Sequence, residues 1–132
     1  FFSQDAEESV RSLQSLLRLC FVQQPSAADM YLMLGCCVST PPHVRQALFS
    51  RSFDNDDLLS RIRKPVLITQ GAQDVILTPD IVNQHKTGMP HAQIHIMPNV
   101  GHAPFWEDAV AFNQRLRAFV EACSAVTTST VV

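Results

Sequence analysis

The stretch PVLITQGAQDVILTP, residues 65–79, decides how the chain is read. Pro65 to Gln70 is a short apolar run ended by Gly71, the pattern of a buried strand. GAQDVIL is then a loop. Thr78 followed by Pro79 signals a helix start, a capping residue with proline in the first turn. That helix is expected to run through Ile81, Val82 and His85. Gly88 and Pro90 punctuate a turn, and AQIHIMP, residues 92–98, alternates as a second strand. The loop NVGH, residues 99–102, follows. A helix is predicted from about Trp106 to Cys123, with Val110, Phe112, Leu116, Phe119 and Val120 on its inner face. Strand–helix–strand–helix over residues 64–123 is long enough for a crossover between two parallel strands. The fold class expected is therefore α/β.

Upstream of Pro65 the pattern is helical. Asp5-x-x-Glu8 reads as a capping box, and Val10, Leu13, Leu16, Leu17, Cys20 and Phe21 recur on one helical face. Ser26 caps a second predicted helix through Met30, Tyr31, Met33, Leu34 and Cys37. Thr40 and Pro41 start a third, carrying Val44, Ala47, Leu48 and Phe49. SFDNDDLLSRIR, residues 52–63, reads as a polar turn and a short helix with Leu58, Leu59 and Ile62 inward. The organisation expected is a helical cap or lid over residues 1–60, an α/β core segment over 61–123 and a tail over 124–132.

Composition limits the function classes. Of 132 residues, 46% are apolar and 17% charged, which suits an ordinary globular domain. The net charge of −2 and the lack of a basic cluster give no electrostatic case for nucleic acid. No apolar run approaches the roughly 20 residues needed to span a bilayer, so no membrane partner is expected. The opening FFSQDAEESV has neither a basic signal-peptide region nor an initiator Met. The numbering is thus expected to begin inside a longer chain. Cys20, Cys36, Cys37 and Cys123 show no framework or CxxC spacing, and are read as reduced, mostly buried thiols of a cytoplasmic protein.

Two ionisable residues fall where chemistry gathers in a parallel sheet, beyond the carboxyl ends of the strands. Asp74 follows the first strand and His102 the second, 28 positions later. Either residue alone reads more simply as a turn or loop residue. Adjacent parallel strands place both loops on one edge, where a carboxylate can reach an imidazole nitrogen. Such a pair holds the ring in one tautomer and stabilises the imidazolium when the base takes a proton. Gly71 and Gly101 are expected to let the backbone turn sharply beside each group.

Residues 62–120, IRKPVLITQGAQDVILTPDIVNQHKTGMPHAQIHIMPNVGHAPFWEDAVAFNQRLRAFV, resemble the C-terminal end of the α/β-hydrolases. In that family a Pro-Val-Leu strand leads to Gly-x-x-Asp, matched by Asp74. A proline opens the next helix, matched by Pro79. The last strand leads to Gly-His, matched by His102, and Pro104, Glu107, Phe112 and Asn113 fit the pattern that follows. The resemblance implies that Asp74 and His102 are the acid and base of a catalytic triad, with no metal and no cofactor. The implied substrate is a small molecule, with ester, lactone, amide and C–halogen chemistry all open. Residues 1–60 resemble, more weakly, the helical cap of such enzymes. The Gly-x-Ser-x-Gly nucleophile elbow is absent from these 132 residues. The chain is therefore read as the C-terminal half of a hydrolase: cap, acid and base without the nucleophile.

Weaker candidates complete the site. Met30 and Met33, with Tyr31 and Cys36, are candidates to line a substrate pocket under the cap, against the plainer reading as core. Trp106, with Phe105 and Glu107, is expected beside His102, with Glu107 as a partner of the helix N-terminus. His91 and His95 fall on one strand roughly 13 Å apart, too far to share a metal ion. The rival to the hydrolase reading is a non-catalytic α/β module. The open edge of the strand at Pro65 to Gln70 would then associate with a second copy or with the missing N-terminal half. More remote is a two-strand regulator in which Asp74 and His102 are structural.

Overall fold

Val66 to Gly71 contains the first strand because its residues pair, one by one, with a second apolar segment. In the computed structural model, which describes residues 1–53 and 56–128, β1 (Leu67–Gly71) and β2 (Gln93–Met97) form a parallel two-stranded sheet. The register runs from Leu67 opposite Gln93 to Gly71 opposite Met97. The ladder continues beyond the strands: Gln93 N–H donates to the Val66 carbonyl at 2.9 Å, Ala72 N–H to Met97 at 2.8 Å and Gln73 N–H to Val100 at 3.0 Å. These last two bonds tie the loop after β1 to the loop after β2.

The helices, in chain order, are α1 (Ala6–Leu19), α2 (Ala27–Val38), α3 (Pro42–Phe49), α4 (Asp56–Arg61), α5 (Pro79–Gly88), α6 (Pro104–Glu107) and α7 (Ala109–Thr128). The crossover helix α5 starts at the predicted Thr78, although the Thr78 side chain makes no capping bond. The turn before β2 is closed by Lys86, whose ammonium donates to the Pro90 carbonyl at 2.7 Å and the Ala92 carbonyl at 2.6 Å. Val82, Met89, Ala92, Met97, Val100 and Ala103 are buried and form the core beside the sheet.

The N-terminal helices form as their caps dictate. Asp5 accepts from Glu8 N–H at 2.8 Å, and Ser26 accepts from Asp29 N–H at 3.1 Å. The Asp5 box is only half made, because the Glu8 carboxylate accepts from Ser3 Oγ instead. Leu13 is buried on the expected face of α1, which packs against α2, and Phe21 is buried just beyond the end of the helix rather than on it. On α3 the expectation fails. Its cap is Pro41 rather than Thr40, and Leu48 and Phe49 are exposed. The residue it buries is Arg45, 5% exposed. Four groups take its donors: the carbonyls of Phe1, Thr40 and Cys37 and the Ser9 hydroxyl. On α4, Leu59 is half-buried against Gly88 while Leu58 and Ile62 are exposed. The polar turn expected at 54–55 lies outside the described residues.

Two boundaries need correction. The single helix predicted from Trp106 to Cys123 is two helices, broken at Asp108 (φ −137°, ψ 70°). The Asp108 carboxylate accepts from Ala111 N–H at 3.0 Å and so caps α7. Helix α7 then continues to Thr128, past the end predicted at Cys123; residues 129–132 lie outside the described residues. Of the inner face expected for α7, Phe112 and Phe119 are half-buried, but Val110, Leu116 and Val120 are exposed. A two-stranded sheet offers too little surface to cover them all. The cysteines are less enclosed than expected: Cys20, Cys37 and Cys123 are half-buried and Cys36 is exposed.

Candidate active site

The paired loops bring Asp74 and His102 together. His102 Nδ1 lies 3.0 Å from Asp74 Oδ2. The Asp74 side chain is 4% exposed and that of His102 34%. The other carboxylate oxygen, Oδ1, accepts from the backbone N–H of Ile76 at 2.8 Å and of Leu77 at 2.9 Å. One oxygen thus anchors the carboxylate to its own loop and the other faces the ring. Burial opposes the charge on Asp74. The N–H of Leu77, the His102 ring and the N–H of Ile76 together outweigh burial and hold the carboxyl below its ordinary value. An ionised carboxylate only accepts hydrogen bonds, so Nδ1 carries the proton that faces it, and in the neutral ring this leaves the lone pair on Nε2. This is the tautomer a general base needs.

The glycines act differently from the expectation. Neither Gly71 nor Gly101 has a positive φ; the left-handed residue of the turn is Asn99 (φ 58°). Asn99 also accepts from Gln73 Nε2 at 3.3 Å, across the two loops. The glycines are needed because the backbones nearly touch. A β-carbon on Gly71 would overlap the carbonyls of Gly101 and Val100. One on Gly101 would lie 2.9 Å from the Cys20 carbonyl oxygen.

A cavity of about 490 Å³ runs from Asp74 and His102 along β1, walled by Ile68, Leu77, Ile81, Phe105 and Phe112. Met30, Met33 and Trp106, the residues expected at a substrate pocket, are not among its lining residues. Met30 instead lines a separate cavity of about 280 Å³ between α1 and α2, with Arg18, Gln24 and Tyr31. Met33 is half-buried on α2, and Trp106 is 45% exposed on α6. Phe105, its neighbour, takes the wall position and packs edge-on against Phe112, with ring centroids 6.3 Å apart. Glu107 lies in the first turn of α6, and its carboxylate also accepts from the Gly101, Val22 and Gln23 N–H groups. Its partners lie 6, 85 and 84 positions away, so no local pattern announces them. Among the described residues no serine, threonine or cysteine hydrogen-bonds to His102 Nε2. No group of three His, Cys, Asp or Glu among them is placed to hold a metal, and no helix is long and apolar enough to cross a membrane.

The fold that carries the pair is similar to that of known proteins. A solved candidate aryl esterase from Burkholderia cenocepacia superposes with a TM-score of 0.89 at 27% identity, over 94% of this chain and 46% of that one. The chain has part of the α/β-hydrolase fold. A second α/β-hydrolase structure, the esterase RhEst1 from Rhodococcus sp. ECU1013, gives a TM-score of 0.84 at 28% identity, over 92% and 45%. In sequence, the chain is 28% identical over 117 residues to a 2-hydroxy-6-oxo-6-phenylhexa-2,4-dienoate hydrolase from Burkholderia cepacia. That match takes in 83% of this chain and 41% of the relative. The chain thus spans less than half the length of these relatives. No family model matches it. Its relatives are hydrolases and esterases of the α/β-hydrolase fold.

Proposed function

We propose that Asp74 and His102 are the acid and base of a nucleophile–His–Asp hydrolase acting on a small, ester-like substrate. The observation that carries this reading is the 3.0 Å contact between His102 Nδ1 and a buried, ionised Asp74. The nucleophile, a serine in the simplest case, comes from sequence outside these 132 residues. His102 Nε2 takes its proton as the oxygen attacks the acyl carbon, and gives that proton to the departing alcohol. Water then repeats the two steps and frees the acid. Asp74 stays ionised throughout and holds the ring. Helices α1–α4 serve as the cap over this site. The cysteine spacing, without a disulfide framework, supports a cytoplasmic setting. In the full-length protein, His102→Ala should abolish hydrolysis of a nitrophenyl ester. Turnover at the wild-type rate would reject the assignment.

A second reading is favoured by the outer edge of β1. Strand β1 pairs only with β2 among the described residues, and the 490 Å³ cavity lies along β1. On this reading β1 takes a further parallel strand from the nucleophile-bearing part of the hydrolase. Mixing the chain with that part, expressed separately, should give a one-to-one complex in sedimentation. Two species that sediment independently would reject it.

A further inference from the structure

Glu107 collects three backbone N–H groups from two segments, one nearby and one far away in the chain. Its Oε1 accepts from Gly101 at 2.7 Å; its Oε2 accepts from Val22 at 2.7 Å and Gln23 at 3.0 Å. Val22 and Gln23 lie in the turn that leaves α1, and Gly101 is the residue before His102. A fourth bond closes the same seam: His102 N–H donates to the Cys20 carbonyl at 2.9 Å. Residues 20–23 and 101–102 are therefore stitched together, and Glu107 is the one side chain among these bonds. Bonds from N–H groups to a carboxylate are charge-assisted and stronger than neutral ones. The missing side chain of Gly101 leaves room for the stitch, since a β-carbon there would sit 3.1 Å from Glu107 Oε1 and push it by a few tenths of an ångström.

The seam bears on the ring. His102 hangs on a peptide whose preceding N–H is held by Glu107 and whose own N–H is held by Cys20. We infer that Glu107 is a positioning residue for His102, and that it ties the imidazole to the segment leaving α1. Displacing that segment then loosens the ring's bond to Asp74. The inference rests on the reading of His102 as the base, and extends it to the way the helical segment reaches the base. A carboxylate that only stabilised the local turn would leave the imidazole unaffected.

The test is nitrogen–proton NMR of the chain itself, observing the His102 Nδ1 proton, assigned by its disappearance in His102→Gln. In the wild type this proton should be shifted downfield and protected from exchange with water. In Glu107→Ala it should exchange at least about tenfold faster, the loss of bonds to a charged group. Glu107→Gln keeps one acceptor oxygen for three donors, and should lie between the two. It also serves if Glu107→Ala fails to fold. Wild-type exchange in a folded Glu107 variant overturns the inference while leaving the Asp74–His102 pair intact. Absence of a protected imidazole proton in the wild type overturns the pair itself, and the inference with it.

Discussion

The α-carbon of Gly71 passes so close to the carbonyl oxygen of Gly101 that no β-carbon fits between them. The loops bearing Asp74 and His102 therefore meet backbone to backbone, which lets their side chains come within hydrogen-bonding reach. Gly71→Ala should cost about 1–3 kcal/mol through overpacking against rigid backbone. Urea denaturation checks this, and an unchanged midpoint would show that the loops can move apart freely.

Gly35 is the opposite case. It sits inside α2 with nothing within 4 Å of where a β-carbon would be. Gly35→Ala should raise stability by about 0.5–1 kcal/mol, because the unfolded chain loses freedom and the helix gains a better former. A lower melting temperature would mean that α2 needs the glycine for a contact the structure does not contain.

Asp74 sets a pH dependence. Its carboxyl is held below the ordinary value in the folded state, so on acidification the unfolded chain takes up the proton first. The stability it contributes is complete above the ordinary carboxylate value of about 4. It is lost as the pH falls further, through the lowered folded value. The urea midpoint of the wild type should drop on going from about pH 5 to pH 3, and Asp74→Asn should flatten this drop. Parallel pH profiles for the two proteins would remove Asp74 as the cause. On the proposed function, the same substitution in the full-length protein should lower ester turnover by about 10⁴-fold, since an amide no longer enforces the ring tautomer.

Arg45 should be the most sensitive position among the first three helices. Its guanidinium is buried and donates to the Phe1 carbonyl at 3.1 Å and the Thr40 carbonyl at 2.8 Å. It also lies over the Phe1 ring, 5.3 Å from the centroid. Arg45→Met strands those carbonyls and should cost about 3 kcal/mol. Arg45→Lys should recover little, because an ammonium lacks the planar fork that reaches several acceptors at once. Thermal melts followed by circular dichroism decide it.

What could be read from the sequence was local or topological. Gly71-x-x-Asp74 and His102 each follow a strand, and parallel pairing places both at one sheet edge, so the pair was legible. The roles of Glu107 and Arg45 were not. Nearly all their partners are backbone groups, some of them far away in the chain, and a backbone N–H or carbonyl leaves no mark in a sequence. The helix break at Asp108 did leave a signal, an aspartate three residues before Ala111, but the apolar periodicity around it runs on and conceals it. Met30, Met33 and Trp106 have the chemistry of a pocket wall. Which wall a residue joins depends on how the helices pack, and periodicity does not encode that.

The pairing of Gly71 with Met97 has a consequence for assembly of the chain. Strand residues advance by about 3.3 Å each, more than the 3.0 Å between His102 Nδ1 and Asp74 Oδ2. A sheet that zipped up one step out of phase would still have its ladder of amide bonds, yet would carry the histidine out of reach of the aspartate. Contact between these two side chains is thus a proofreading mark: it forms only when the strands have closed in phase.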